Sequence, residues 1–198
     1  MPRHALLFLD RDGTLMHDVG YPKDPAAVRL IDGAADAVRE LVVLGFVPAV
    51  VSNQSGLARG LITPDEAQAV HARFVELFEA ASGVRLPGWY CPHGPDDGCD
   101  CRKPKPGLLR IAASELGMVG KPGIMIGDKL SDVEAGVAAG YAGGKFDGDW
   151  VKFAVVLRHW FRKNVPQTGP LPVCGESWGG VLASTLLNPP VDGGRQES

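Results

Sequence analysis

The sequence predicts an α/β fold built on a mostly parallel sheet with helices on both faces. Three observations carry this reading. Short apolar runs at 5–10, 46–53 and 123–128 end abruptly in polar residues, as buried strands do. Stretches with helical spacing lie between them. The strand runs are apolar throughout rather than alternating, which suits a parallel sheet covered on both sides.

Each element has its own justification. "ALLFLD" is the first strand, "FVPAVVSN" the second and "GIMIGD" the third. A helix over 33–44 places Ala35, Val38, Leu41 and Val42 on one face, with Asp32 expected as N-cap and Gly45 as the stop. Thr63-Pro64-Asp65-Glu66 reads as a capping box with proline at the first helical position, and Ala67, Val70, Phe74, Leu77, Phe78 and Ala81 follow at helical intervals. Residues 106–116 form a third helix ending at Gly117, and Ser131-Asp132-Val133-Glu134 reads as a second capping box opening a helix to about residue 139. "WVKFAVVLRHWF" at 150–161 fits either a last helix or a last strand, while "YAGGKFDGDW" before it is poor in strand formers.

The chain has 198 residues, of which 45% are hydrophobic and 22% charged, the balance of a soluble globular protein. We expect residues 1–163 to form one catalytic domain and residues 164–198 a tail. Residues 164–198 hold five prolines and six glycines, a composition typical of poorly packed chain. A net charge of −3 argues against a nucleic-acid binder acting through bulk charge. No apolar run approaches the roughly 18–20 residues needed to span a membrane. The apolar run after Arg3 is too short for a signal peptide, so the expectation is a cytoplasmic monomer.

The chemistry converges on strand ends. Asp10 and Asp12 lie two apart in "FLDRDGTL", so at a strand's period their carboxylates would leave on one side, where a bound cation would offset their repulsion. Ser52 and Asn53 end the second strand and Asp128 the third. In an open parallel sheet these ends form the ligand site. Carboxylates without imidazoles suit Mg²⁺. Arg102, Lys103 and Lys129 supply positive charge at the same edge, which points to a phosphate ester. Cys91, His93, Cys99 and Cys101 place three thiolates and one imidazole within eleven residues, a complete set for structural Zn²⁺.

"FLDRDGTL", "VSNQSGLARG", "CRKPKPG" and "IGDKLSDVEAG" resemble, in order, the four motifs of the haloacid dehalogenase (HAD) superfamily in its phosphatase branch. The nearest likeness is to the heptose 1,7-bisphosphate 7-phosphatases and the histidinol-phosphate phosphatases. The resemblance covers about residues 5–142. It implies a Rossmann-like HAD fold with a minimal cap, a zinc loop at Cys91, His93, Cys99 and Cys101, and hydrolysis of a small phosphorylated sugar in carbohydrate metabolism that leads to lipopolysaccharide precursors. It implies that Asp10 is the nucleophile and Asp12 the acid and base. Asp10, Asp128 and the backbone carbonyl of Asp12 would hold Mg²⁺. Ser52, Asn53 and Lys103 would hold the phosphoryl group and Arg102 the rest of the substrate, with Lys129 and Asp132 behind them. Loops 54–62 and 92–101 would select the substrate, and Arg59 and Lys105 could add positive charge there.

Two other classes fit the sequence less well. "GESWG" matches a nucleophile elbow centred on Ser177, but no histidine follows His159. A non-catalytic zinc scaffold would not require the three aspartates and Ser52. Dehalogenases lack the second aspartate that Asp12 provides.

Overall fold

The computed structural model describes residues 4–165 and 186–187. Five parallel strands form the sheet: β1 (Ala5–Leu9), β2 (Phe46–Asn53), β3 (Gly88–Cys91), β4 (Gly123–Gly127) and β5 (Ala142–Lys145). A two-residue strand, β6 (Leu186–Leu187), pairs antiparallel with β5, and the spatial order is β3-β2-β1-β4-β5-β6. The helices are α1 (Ala34–Leu44), α2 (Pro64–Ser82), α3 (Gly107–Glu115), α4 (Leu130–Ala138) and α5 (Trp150–Asn164).

The alternation along β1 divides the core into two layers. Ala5, Leu7 and Leu9 face one way, with Val38 and Leu41 of α1, Phe74 and Phe78 of α2, and Leu157 of α5. Leu6 and Phe8 face the other, with Leu108, Leu109 and Ala112 of α3 and Ala135 of α4. Successive side chains of a strand leave on opposite faces, so a strand buried on both must be apolar at every position. The chain moves outward from β1 through β2 to β3, then crosses back to place β4 on β1's other side. Reversal of direction at β1/β4 opens a crevice beyond their carboxyl ends.

The capping box of α2 forms as expected. Thr63 Oγ1 accepts from the Glu66 N–H at 3.2 Å, and the Glu66 carboxylate accepts from the Thr63 N–H at 2.7 Å. Two other caps differ from expectation. Gly33, not Asp32, is the N-cap of α1, in the left-handed conformation at φ 79°. In α4 the box sits two residues earlier than Ser131: Lys129 is the N-cap, and its N–H donates to the Asp132 carboxylate at 3.0 Å. Asp132 is thereby held at the edge of the site rather than on the helix surface.

The 150–161 segment is helical. Asp149 caps α5 by accepting from the Lys152 N–H at 3.0 Å. Trp150 is fully buried and its indole N–H donates to the Thr14 carbonyl at 2.8 Å, fastening α5 to the turn after β1. Two strands escaped the sequence pattern. β3 is only four residues long, and β5 reads "AGGK". Gly143 of β5 is there for proximity. A Cβ on Gly143 would fall 2.7 Å from Val133 Cγ1 and 2.8 Å from the Val133 carbonyl oxygen, so α4 packs where a side chain would stand. The tail expected over 164–198, with "GESWG" and Cys174, lies outside the described residues apart from its first two residues and β6. Among the described residues no helix is long and apolar enough to cross a membrane.

Gly143→Ala tests this packing. Because a backbone oxygen blocks the new methyl, the substitution should cost about 2 kcal/mol and lower Tm by about 4–8 °C in a calorimetric scan.

Candidate active site

The carboxyl ends of β1, β2 and β4 meet around one buried ammonium. Lys103 Nζ lies 2.9 Å from Asp10 Oδ1 and 2.6 Å from Asp132 Oδ1, and donates to the Val51 carbonyl at 2.7 Å. All three ionised side chains are almost fully buried. The Lys103 backbone is fixed as well: its N–H donates to Asn53 Oδ1 at 3.1 Å, and Asn53 Nδ2 donates to its carbonyl at 3.0 Å. Asn53, expected on the phosphate, therefore spends its amide on placing Lys103.

Burial alone would lower the Lys103 pKa, but Asp10 and Asp132 outweigh it and the ammonium is held more firmly protonated than usual. Burial raises the Asp132 carboxyl despite Lys103, and raises Asp128 despite Lys129. Both carboxyls are therefore short of positive charge.

That shortage matches the requirement of a hard dication. Carboxylate oxygens of Asp10, Asp128 and Asp132 lie within 4.8 Å of one another. Asp128 Oδ1 is buried and, among the described residues, has no hydrogen-bond partner. Asp10 Oδ1 has its ion pair with Lys103, but the angle makes no proper hydrogen bond, which leaves lone-pair capacity there too. Gly13 allows Asp128 this position: at φ 81° its Cβ would lie 2.5 Å from Asp128 Oδ2. All-oxygen donors of this kind suit Mg²⁺.

Asp12 departs from the strand geometry expected of it. β1 stops at Leu9, and residues 11–16 turn so that the Leu15 and Met16 N–H groups both donate to the Arg11 carbonyl. The Asp12 carboxylate accepts from Arg11 Nε and Nη2, both at 3.0 Å, and from Gln54 Nε2 at 2.8 Å. The two aspartates thus have separate counter-ions, Lys103 for Asp10 and Arg11 for Asp12. Sequence reasoning missed Arg11 and Gln54. An arginine between two aspartates was the only signal, and Gln54 gave none.

An open cleft of about 660 Å³ leads down to these groups, lined among others by Asp12, Tyr21, Gln54, Arg102, Lys105 and Lys129. A recess of about 40 Å³ is lined by Asp10, Asp12, Ser52 and Lys103. Ser52 is buried, with its hydroxyl 3.3 Å from Gln54 Nε2. Lys129 reaches across to Asp18 at 3.4 Å. Arg59 does not line the cleft but donates to the Tyr21 hydroxyl at 3.0 Å.

The cysteine loop forms the cleft's outer wall. Cys91 ends β3, and Cys91, His93, Cys99 and Cys101 come together. Sulfur–sulfur separations are 3.2, 3.6 and 3.7 Å, and His93 Nδ1 stands 3.3 and 3.5 Å from two of them. Four ligands about 2.3 Å from one zinc ion would stand about 3.8 Å apart. A disulfide would need about 2.05 Å. The set could therefore hold zinc. Burial and the Cys101 contact push the Cys91 thiol up to about 12, so metal binding there would release a proton. The same loop holds the cleft's cations: Arg102 Nη1 donates to the His93 carbonyl at 3.2 Å, and Lys105 Nζ to the Gly98 and Cys99 carbonyls at 3.0 and 2.8 Å.

Fold and site together define a phosphatase of the HAD-like class, a phosphoric monoester hydrolase. A family model described as HAD-hydrolase-like matches residues 100–144. The D-glycero-beta-D-manno-heptose-1,7-bisphosphate 7-phosphatase of Yersinia pestis is 41% identical over 141 residues, covering 67% of this chain and 74% of that protein. Its counterpart in Pseudomonas putida is 44% identical over 137 residues, covering 68% and 78%. The crystal structure of the D,D-heptose 1,7-bisphosphate phosphatase of B. bronchiseptica, complexed with magnesium and phosphate, matches with a TM-score of 0.67 at 32% identity, covering 79% of this chain and 99% of that one. The chain belongs to the family of these heptose bisphosphate phosphatases, within the HAD-like hydrolases.

Lys103→Met should show how far the buried ammonium holds the site together. It leaves Asp10 and Asp132 facing each other without their cation, at a cost of about 3 kcal/mol or more. Urea unfolding at neutral pH, with no added divalent metal, should give a correspondingly lower midpoint.

Proposed function

We propose that the chain removes the 7-phosphate of D-glycero-β-D-manno-heptose 1,7-bisphosphate through an aspartyl-phosphate on Asp10. The observation that carries this is identity of 41–44% to phosphatases of that name over about three quarters of their length. The cluster of Asp10, Lys103, Asp128 and Asp132 is the geometry that supports it.

Asp10 attacks phosphorus while the bond to the sugar oxygen breaks. Asp12 gives that oxygen its proton, so the sugar leaves as an alcohol and the phosphoryl group stays on Asp10. Water then attacks the aspartyl-phosphate, Asp12 takes the water's proton, and inorganic phosphate leaves with both carboxyls restored. Splitting hydrolysis into two transfers replaces one hard step with two easier ones. Lys103 and the Ser52 hydroxyl neutralise and orient the phosphoryl oxygens in the small recess. Asp10, Asp128 and the Asp12 backbone carbonyl would hold Mg²⁺, which supplies positive charge against the phosphoryl oxygens. Arg102, with Lys105 beside it, faces the open cleft and binds the substrate's second phosphate.

Histidinol phosphate is the competing substrate. Its cationic amine gains nothing from Arg102 and Lys105. With Mg²⁺ present, kcat/KM should favour the heptose bisphosphate, by about tenfold or more for each well-formed charged contact that only the bisphosphate makes. Arg102→Ala should erode that preference, and Asp10→Asn should abolish turnover of both. A preference for histidinol phosphate would overturn the substrate assignment and leave the phosphatase chemistry standing.

We further propose that Cys91, His93, Cys99 and Cys101 hold a structural zinc ion. Elemental analysis of freshly purified, dialysed protein should find about one zinc per chain. Protein without zinc that is fully folded and active would refute the site.

A further inference from the structure

We infer that Arg11 and Gln54 are positioning residues for Asp12: they lock its carboxylate so that one lone pair of Oδ1 is the only position from which it can pass a proton. This deepens the reading of Asp12 as acid and base, and rests on it.

The inference comes from counting donors. Each carboxylate oxygen has about two lone-pair positions. Oδ2 of Asp12 has both filled, by Arg11 Nη2 at 3.0 Å and Gln54 Nε2 at 2.8 Å. Oδ1 has one filled, by Arg11 Nε at 3.0 Å. Among the described residues nothing fills the remaining position on Oδ1, and Asp12 lines both the cleft and the recess beside Asp10.

Arg11 is not placed to touch substrate. It is 2% exposed and lines neither cavity. Its carbon Cζ lies 5.5 Å from the centre of the Tyr90 ring, and the Tyr90 hydroxyl is 2.6 Å from His71 Nδ1. The guanidinium is therefore held on one side by an aromatic face anchored through β3 to α2, and presents its fork to Asp12 on another. Gln54 lines the cleft, but its Nε2 is committed to Asp12 and lies 3.3 Å from the Ser52 hydroxyl. One amide thus ties the proton-transfer group to a phosphoryl-binding group.

Proton donation matters in proportion to how poor the leaving group is. A structural role would weaken every substrate alike, whereas a misplaced proton donor weakens only those whose leaving oxygen needs the proton. The test is kcat/KM of the Mg²⁺-loaded full-length enzyme for phenyl phosphate and p-nitrophenyl phosphate, which have similar bulk and different leaving-group basicity. This parameter covers events up to release of the alcohol or phenol. Arg11→Lys keeps the charge but loses the two parallel bonds, and Gln54→Leu removes the third donor. Each should lower kcat/KM for phenyl phosphate by about 10–100-fold and for p-nitrophenyl phosphate by less than about threefold. Asp12→Asn should show the same discrimination more strongly.

Circular dichroism and Tm establish that each variant is folded; if Arg11→Lys is not, Gln54→Leu decides alone. Equal losses on both esters in the folded variants, with discrimination retained in Asp12→Asn, would overturn the inference. Equal losses in Asp12→Asn as well would overturn the acid role of Asp12, and this inference with it.

Discussion

The site depends on one buried ammonium. Lys103 Nζ stands between Asp10 and Asp132 with a backbone carbonyl as its third partner, and almost no solvent reaches it. A charge in that position costs several kcal/mol to desolvate and is tolerated only where fixed opposite charges surround it. The surrounding elements therefore have little freedom. β1 must deliver Asp10, the start of α4 must deliver Asp132, and the end of β2 must deliver Asn53 to grip the Lys103 backbone. Three crossovers of the sheet are tied at this point. With Lys103 satisfied by two carboxylates, Asp128 is left with a buried oxygen and no protein partner among the described residues. The arrangement is complete for an ammonium and incomplete for a carboxylate, which is the condition in which a divalent cation binds well.

The remaining cations are divided between two supports. Arg11 is held inside, by the Tyr90 ring and the Asp12 carboxylate. Arg102 and Lys105 hang from carbonyl oxygens of the cysteine loop and face the cleft. A loop of eleven residues rich in glycine, proline and aspartate has little apolar surface of its own to bury. The four candidate metal ligands, Cys91 within the core layer under α3 and Cys99 and Cys101 packed against it, are what could give it shape. The buried guanidinium and the cations of the cleft wall thus have separate anchorages.

The ordered motifs made the chemistry readable because chemistry constrains residue type. Paired aspartates at a strand end, and cysteines two or eight apart around a histidine, each suit few chemistries, carboxylate nucleophiles and metal sites among them. Strands buried on both faces and the Thr63 capping box were readable for a similar reason, since period and cap chemistry are local. β3 and β5 were not. Trp89 and Tyr90 make a strand too short for a period to appear, and Gly143 is selected by the closeness of Val133 on α4, a neighbour ten residues away. The caps at Gly33 and Lys129 slipped past local rules because the chain enters α1 through a left-handed conformation at Gly33, and Asp132 turns toward the Lys103 ammonium.

The sequence by itself determined the fold class, the motif set and the candidate side chains of the site and of the cysteine loop. Each follows from composition along a short stretch of chain. Only the tertiary structure decided who pairs with whom. Asp10 and Asp12, two apart and expected to share one cation, are given to different partners by segments 93 and one residue away, because the strand ends before both of them and each carboxylate turns to the nearest buried cation. Asn53 is tied to the Lys103 backbone, and Gln54 to the Asp12 carboxylate, by the same cause. Buried charges and amides must be satisfied by whatever the fold brings within about 3 Å, and that distance is not written along the chain.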